Sequence, residues 1–416
     1  MKFNKWTVGL AAVGVVSLAS AARADEQMSQ VQTALTQTTL SGYVDTAMQW
    51  NPGTDATAAT GGVPGAHVPS YAFAKDDGFS FNALDIALDR PEDSSAWAAG
   101  YHIELMAGSD AVGVGGAGGA AVRQAFVRLH TPVGGNGIDW QIGIFDNLIG
   151  YESNSDPLNP NYTRSYGYTI EPTTLTGVSA TYKINDMLSV EGAIANTPGG
   201  LGSIAPAYTA TTQYESQKSY NGLLTFTAPD SMGFLKGATA SAGVADGNDS
   251  WKFGKGSTVN IYAGATVPTP ITQLKLGVAY DYLMESDQGA GATGPNIGDD
   301  IWVIGGYATW QFNDKLSANL RAEYASDSSN IGDTVELYPT RVPAYFAGTD
   351  AIGGNKAEEF TATLQYNLWA NVITRGEFRW DHVEHGYGFG EPNGSIFNQY
   401  SKANDFLLAL NVIYQF

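Results

Sequence analysis

The sequence predicts an all-β chain: a transmembrane antiparallel up-and-down β-barrel of about 16 strands, with 14 and 18 also compatible with the pattern. Three observations carry this. The N-terminus reads as an export signal, the remainder has no apolar run long enough for a membrane helix, and the last strand is apolar on one face and ends on Phe416.

Lys2 and Lys5 form a positive start, Val8 to Ala19 a short apolar stretch, and Ala22-Arg23-Ala24 puts small residues at a cleavage spacing. Cleavage is expected after Ala24. Loss of Lys2, Lys5 and Arg23, with no acid, takes the formal charge from −20 to −23. Beyond residue 24 nothing approaches the roughly 18 apolar residues of a spanning helix. An exported chain of this kind is either soluble or a barrel.

The terminal strand separates those two. In DFLLALNVIYQF, Phe406, Leu408, Leu410, Val412, Tyr414 and Phe416 share one face, while Asp405, Asn411 and Gln415 punctuate the other. Such a face suits lipid and an interfacial aromatic girdle. The ending also resembles the C-terminal signature that bacterial barrel-assembly machinery recognises.

Composition agrees. The 416 residues include 50 Gly and 22 Tyr, and only 15% are charged, a vocabulary of strands and turns. The net charge of −20 argues against nucleic acid as a partner, because phosphate binding needs concentrated Lys and Arg. With no cysteine, disulfides, thiolate metal sites and thiol catalysis are excluded.

Alternating segments place strands near 39–50, 77–89, 95–107, 120–131, 138–147, 174–184, 187–197, 218–229, 235–246, 257–267, 272–285, 300–312, 315–326, 357–368, 371–384 and 402–416. Short turns carry turn chemistry, as in Arg90-Pro91-Glu92-Asp93, Gly134-Gly135-Asn136-Gly137, Asn185-Asp186, Ala228-Pro229-Asp230, Pro268-Thr269-Pro270 and Asn313-Asp314. Longer Gly-, Ser-, Asp- and Pro-rich loops alternate with them, including 51–76, 148–173, 198–217 and 327–356. Both termini are then periplasmic. Residues 25–38 form a short periplasmic segment, too small to plug a barrel.

Each charge facing lipid at the midplane would cost roughly 2–4 kcal/mol, so charges belong inside. Strand 371–384 carries the densest set, Arg375, Glu377, Arg379 and Asp381, with Arg321 and Glu323 beside it. They are expected to line the pore as a charged ladder, to hold the wall together through cross-strand pairs, or both. Arg128, Lys183 and Lys275 are further basic wall positions, against a larger acidic set including Asp45, Asp85, Glu104, Asp139, Glu191 and Asp281. The excess of acid predicts a mild cation preference, weakened by a Debye length of about 8 Å in a wide pore.

The third long loop, 148–173, holds a Tyr cluster, the acids Glu152, Asp156 and Glu171, and Arg164. It is expected to fold inward as a constriction, with Arg164 facing carboxylates across the passage; the alternative is an exposed loop packed on the rim. Sixteen strands leave an aqueous channel, which implies passive diffusion of ions and small hydrophilic solutes.

The stretch IDWQIGIFDNLIGYES, followed by NPNYTRSYGY and EPTTLTGV, resembles the OmpL-like β-barrel porin family, as do TTLSGYVDTAMQWN and VIYQF at the ends. The resemblance implies an outer-membrane porin and supports placing Glu152 and Arg164 in the constriction loop. Thr163 stands where that pattern has Ser. Expected partners are outer-membrane lipid and lipopolysaccharide, the assembly machinery through the Phe416 strand, and two further copies in a homotrimer. Ala238, Ala240 and Ala242 beside Val244 offer a packing face for such copies.

No enzyme, cofactor or metal is expected. His67, His102, His130, His382 and His385 lie in no recognisable nucleophile context, and Gly-x-Ser-x-Gly and DxDxDG are absent. Asp381, His382, Glu384 and His385 could approach a metal but match no known spacing. A sugar-specific channel and a surface adhesin remain the alternative readings.

Overall fold

The computed structural model describes residues 37–52, 75, 77–113, 119–196, 218–248, 257–285, 299–327, 355–384 and 402–416. The expected signal peptide with its Ala24 cleavage point, nearly all of segment 25–38, most of the other long loops, His67 and His385 lie outside them.

Sixteen antiparallel strands close into one barrel, each paired with its sequence neighbours and the first with the last. They run β1 (Thr39–Trp50), β2 (Gly78–Arg90), β3 (Ala98–Ala107), β4 (Ala120–Thr131), β5 (Ile138–Asp146), β6 (Thr174–Lys183), β7 (Leu188–Asn196) and β8 (Lys218–Thr227). The second half is β9 (Thr239–Asn248), β10 (Ser257–Pro268), β11 (Leu274–Glu285), β12 (Asp299–Gln311), β13 (Leu316–Asp327), β14 (Asn355–Trp369), β15 (Val372–Val383) and β16 (Asn404–Gln415). Among the described residues no helix is long and apolar enough to cross a membrane. Closure matters because hydrocarbon offers no partner to an unpaired strand edge.

The expected strands are all present, with small boundary shifts. The largest is β9, which starts at Thr239 because Asp230–Leu235 winds into a 3-10 turn with Gly233 and Gly237 at positive φ.

The two faces separate by chemistry. On β16, Phe406, Leu408, Leu410, Val412 and Tyr414 point outward and are exposed, while Asp405, Leu407, Ala409, Asn411 and Ile413 point inward and are buried. Outward rows of this kind would be a large apolar surface in water and are matched by acyl chains. The closing seam is tight. Gly42 and Phe416 exchange backbone hydrogen bonds of 3.0 and 3.1 Å. A Cβ on Gly42 would lie 2.8 Å from the Phe416 ring and 2.1 Å from the Asp85 carbonyl oxygen.

Candidate functional site

The interior is organised by the segment between β5 and β6, residues 147–173. Its neck is closed by Asn147 N donating to the Thr173 carbonyl (2.9 Å) and by Asn154 Nδ2 donating to that same carbonyl and to Asp146. Inside the loop, Asn159 Nδ2 donates to the Ser153 and Ser155 carbonyls at 2.8 and 2.9 Å. One helical turn, α1 (Tyr166–Ile170), starts at Ser165, whose hydroxyl accepts from Tyr168 N at 3.0 Å. A serine N-cap satisfies an amide that would otherwise be orphaned in the lumen.

This loop does fold inward, onto β1 and β10–β16. Tyr166 and Ile170 pack against Leu283, Ile301, Val303, Ala325, Ala357 and Val383, an apolar patch on the inner wall. Tyr162 packs against Ala47, Leu407 and Ala409.

The charged ladder meets the loop backbone. Wall cations take loop carbonyls: Arg375 donates to Asn159 O (2.5 Å) and Asp156 O (3.2 Å), Arg379 to Arg164 O (2.6 Å), and Arg321 to Thr163 O (2.8 Å). Wall anions take loop amides: Glu377 accepts from Tyr162 N (2.6 Å) and Thr163 N (2.9 Å), and Glu323 from Tyr166 N (2.7 Å). Asp381 accepts from the Tyr166 hydroxyl at 2.6 Å, and Glu152 from Arg321 at 2.8 Å. Extended backbone taken out of water needs such partners, and charged ones are the strongest available.

Of the two roles expected of the ladder, pore lining and cross-strand pairing, the second is visible where Arg321 and Arg379 meet Glu359 of β14. Arg321 and Arg379 have 0% exposure, and Glu323, Arg375, Glu377 and Asp381 are also buried. They face inward but do not meet lumen water, because the loop lies over them. Arg164 differs from expectation as well. It does not face carboxylates across a gap, but turns back to Asp156 within the loop (2.6 Å) and over the Tyr168 ring. Glu152, Asp156 and Glu171 are likewise held inside the contact between loop and wall. Glu171 lies over Gly150, where a Cβ would come within 2.3 Å of its Oε2 and φ is +123°. Burial, reinforced by the Asp281 carboxylate, pushes the Glu171 carboxyl well above its usual range.

Accessible charge lies on the opposite wall. Arg128, on β4, is 28% exposed and pairs with Asp89 at 2.7 Å. Nearby His102 bridges Asp89 and Glu104 at 2.8 and 3.2 Å. Beside the loop a cavity of about 360 Å³ is lined by Tyr151, Ser153 and Asn159 and by Thr239, Tyr262 and Thr266 of β9 and β10. Tyr151 stacks on Tyr307 with ring centroids 4.2 Å apart.

Sequence reasoning missed Arg123. Counting inward from Arg128 and Phe126 puts Arg123 on the lipid face. The register skips it, however, pairing Glu104 with Gln124 and Leu105 with Val122. The bulge turns Arg123 inward to Glu104 (2.6 Å) and Asp146 (2.8 Å). A charge on a strand otherwise outward at that parity is the signal that could have found it.

The family model for putative beta-barrel porin-2, OmpL-like, matches residues 37–416. The chain belongs to this porin family. No curated protein matches it. Among solved structures, this porin is similar to the anion-selective porin from Comamonas acidovorans, with TM-score 0.59, 13% identity, and 91% of this chain and 99% of that one covered. It is also similar to OmpT, an outer-membrane protein of Vibrio cholerae, in a loop L8 deletion form, with TM-score 0.56, 12% identity and coverage of 91% and 99%. The outer-membrane channel DcaP of Acinetobacter baumannii follows at TM-score 0.55, 13% identity and coverage of 91% and 97%. At such identities the likeness is one of fold. Family and fold together indicate an outer-membrane porin, a channel rather than an enzyme.

Proposed function

We propose that this porin passes small hydrophilic solutes and ions by passive diffusion, with mild cation preference, through the part of the lumen that loop 148–173 leaves open. The observation that carries this reading is the loop itself, its backbone held across one side of a closed sixteen-strand barrel by buried charged side chains of the wall, while the β2–β9 side keeps accessible polar groups. The loop acts as a constriction by occupying volume; Arg128 and Asp89 remain at its open side, and the ladder of Arg321, Glu323, Arg375, Glu377, Arg379 and Asp381 acts by fixing the loop's position. The acidic excess of the chain supports cation preference. Reversal potentials across planar bilayers in a KCl gradient test this: a modest cation-selective offset is expected, and anion selectivity would remove the preference.

A sugar-specific channel has one observation in its favour, the hydroxyl-lined cavity of Thr239, Tyr262 and Thr266. Liposome swelling with sugars of graded size distinguishes the two. A smooth size cutoff supports general diffusion, and one favoured sugar supports specificity.

The chain is exported through a signal peptide cleaved after Ala24, is inserted by the assembly machinery through its Phe416 strand, and forms a homotrimer among lipid and lipopolysaccharide. A trimer form exists of OmpT of Vibrio cholerae, one of the similar folds. Chemical crosslinking in mild detergent is expected to give a three-chain species.

A further inference from the structure

Three donors from three separate elements meet on the inner face at the short-turn end of the barrel. Glu92 lies on the β2–β3 turn, His130 near the end of β4 and Asp139 near the start of β5. One ligand atom from each lies within 4.8 Å of the other two. His130 and Asp139 are direct cross-strand partners, with Nδ1 2.6 Å from Oδ1. The imidazole rests on Gly137, where a Cβ would come within 2.5 Å of Nε2, and that residue has φ +78°. Glycine at this turn therefore sets where the ring can sit.

Charge is unbalanced here. Among the described residues Glu92 has no hydrogen-bond or ion-pair partner, yet it is half-buried beside a second carboxylate. Burial and that neighbour raise its pKa. Arg128, whose charge acts on Glu92, is paired with Asp89 at 2.7 Å. Two carboxylates around an imidazole lack one positive charge.

We propose that Glu92, His130 and Asp139 bind a divalent late first-row transition ion of the Zn²⁺ class, with water completing its shell. One imidazole with two carboxylates favours such an ion over Mg²⁺ or Ca²⁺, which prefer oxygen donors alone. Tetrahedral Zn²⁺ would require Nδ1 and Oδ1 to separate to roughly 3.4 Å, a side-chain adjustment rather than a backbone one. His130 and Asp139 are 28% and 45% exposed, so the site is reachable from water.

The test is calorimetric titration of ZnCl₂ into the folded, tag-free barrel in detergent. One saturable site per chain is expected, weakened at least about tenfold in both His130→Ala and Glu92→Gln, since loss of even an outer-shell partner costs that much. Glu92→Gln keeps the proposal testable if His130→Ala fails to assemble. His102→Ala, which removes the other described lumen imidazole, should bind as wild type. Absence of saturable binding, unchanged binding in Glu92→Gln, or loss confined to His102→Ala would overturn the proposal.

Discussion

Replacing Arg321 with Met should release the loop from the wall without opening the barrel. The guanidinium is fully buried and donates to Glu152 (2.8 Å), to the Thr163 carbonyl (2.8 Å) and to Glu359 (3.2 Å). Met fills much of the volume but leaves buried Glu152 without its guanidinium and Glu359 with Arg379 alone, 3.8 Å away. Breaking a buried pair in this way costs about 3–5 kcal/mol. At 1.4 kcal/mol per tenfold, the docked-to-released ratio falls by roughly two to three and a half powers of ten. The backbone ladder between β12, β13 and β14 does not involve the side chain, so the barrel should persist. Single-channel recording should then show a larger and noisier conductance, and liposome swelling a larger solute cutoff. Adding Glu152→Gln to Arg321→Met removes one uncompensated carboxylate and should restore part of the loss, by about 0.5–3 kcal/mol of coupling. If Arg321→Met folds into a heat-modifiable barrel with unchanged conductance and cutoff, the ladder does not hold the loop.

Two further outcomes follow from named contacts. Burial and Asp281 push the Glu171 carboxyl well above its usual range, with Glu152 and Glu323 adding like charge. A group whose folded-state pKa is raised stabilises the docked loop fully below the usual carboxyl range and loses that contribution as pH rises through the raised value. Conductance should therefore increase toward alkaline pH in the wild type, and Glu171→Gln, which mimics the protonated acid, should flatten that dependence; an unchanged profile would contradict it. At the seam, Gly42→Val must displace the Asp85 carbonyl and the Phe416 ring, at about 1–3 kcal/mol or more. The yield of heat-modifiable barrel should fall, and wild-type yield would show that the seam tolerates a side chain.

The strands were legible because lipid enforces the alternation. On β14, Phe360, Leu364 and Tyr366 must face out once Glu359, Thr361 and Thr363 face in, and no soluble core competes for the apolar face. Loop 148–173 was legible as an inward loop from its polar and tyrosine content, but not in its placement over the ladder. That placement depends on loop carbonyls and amides finding particular side chains 150 to 220 positions away, which periodicity does not encode. A usable sign was present all the same. Inward Leu283, Ile301, Val303 and Val383 break the polar-inside rule where Tyr166 and Ile170 dock. Arg123 was missed because a single bulge reverses parity, and bulges leave little trace in hydrophobic pattern.

The proposed water path runs through the closed barrel beside a pinned loop. The most direct measurement is the conductance of the purified protein in a planar lipid bilayer. Discrete, voltage-tolerant steps that grow with KCl concentration are the expected result; a well-folded, fully inserted barrel that adds no conductance would contradict it.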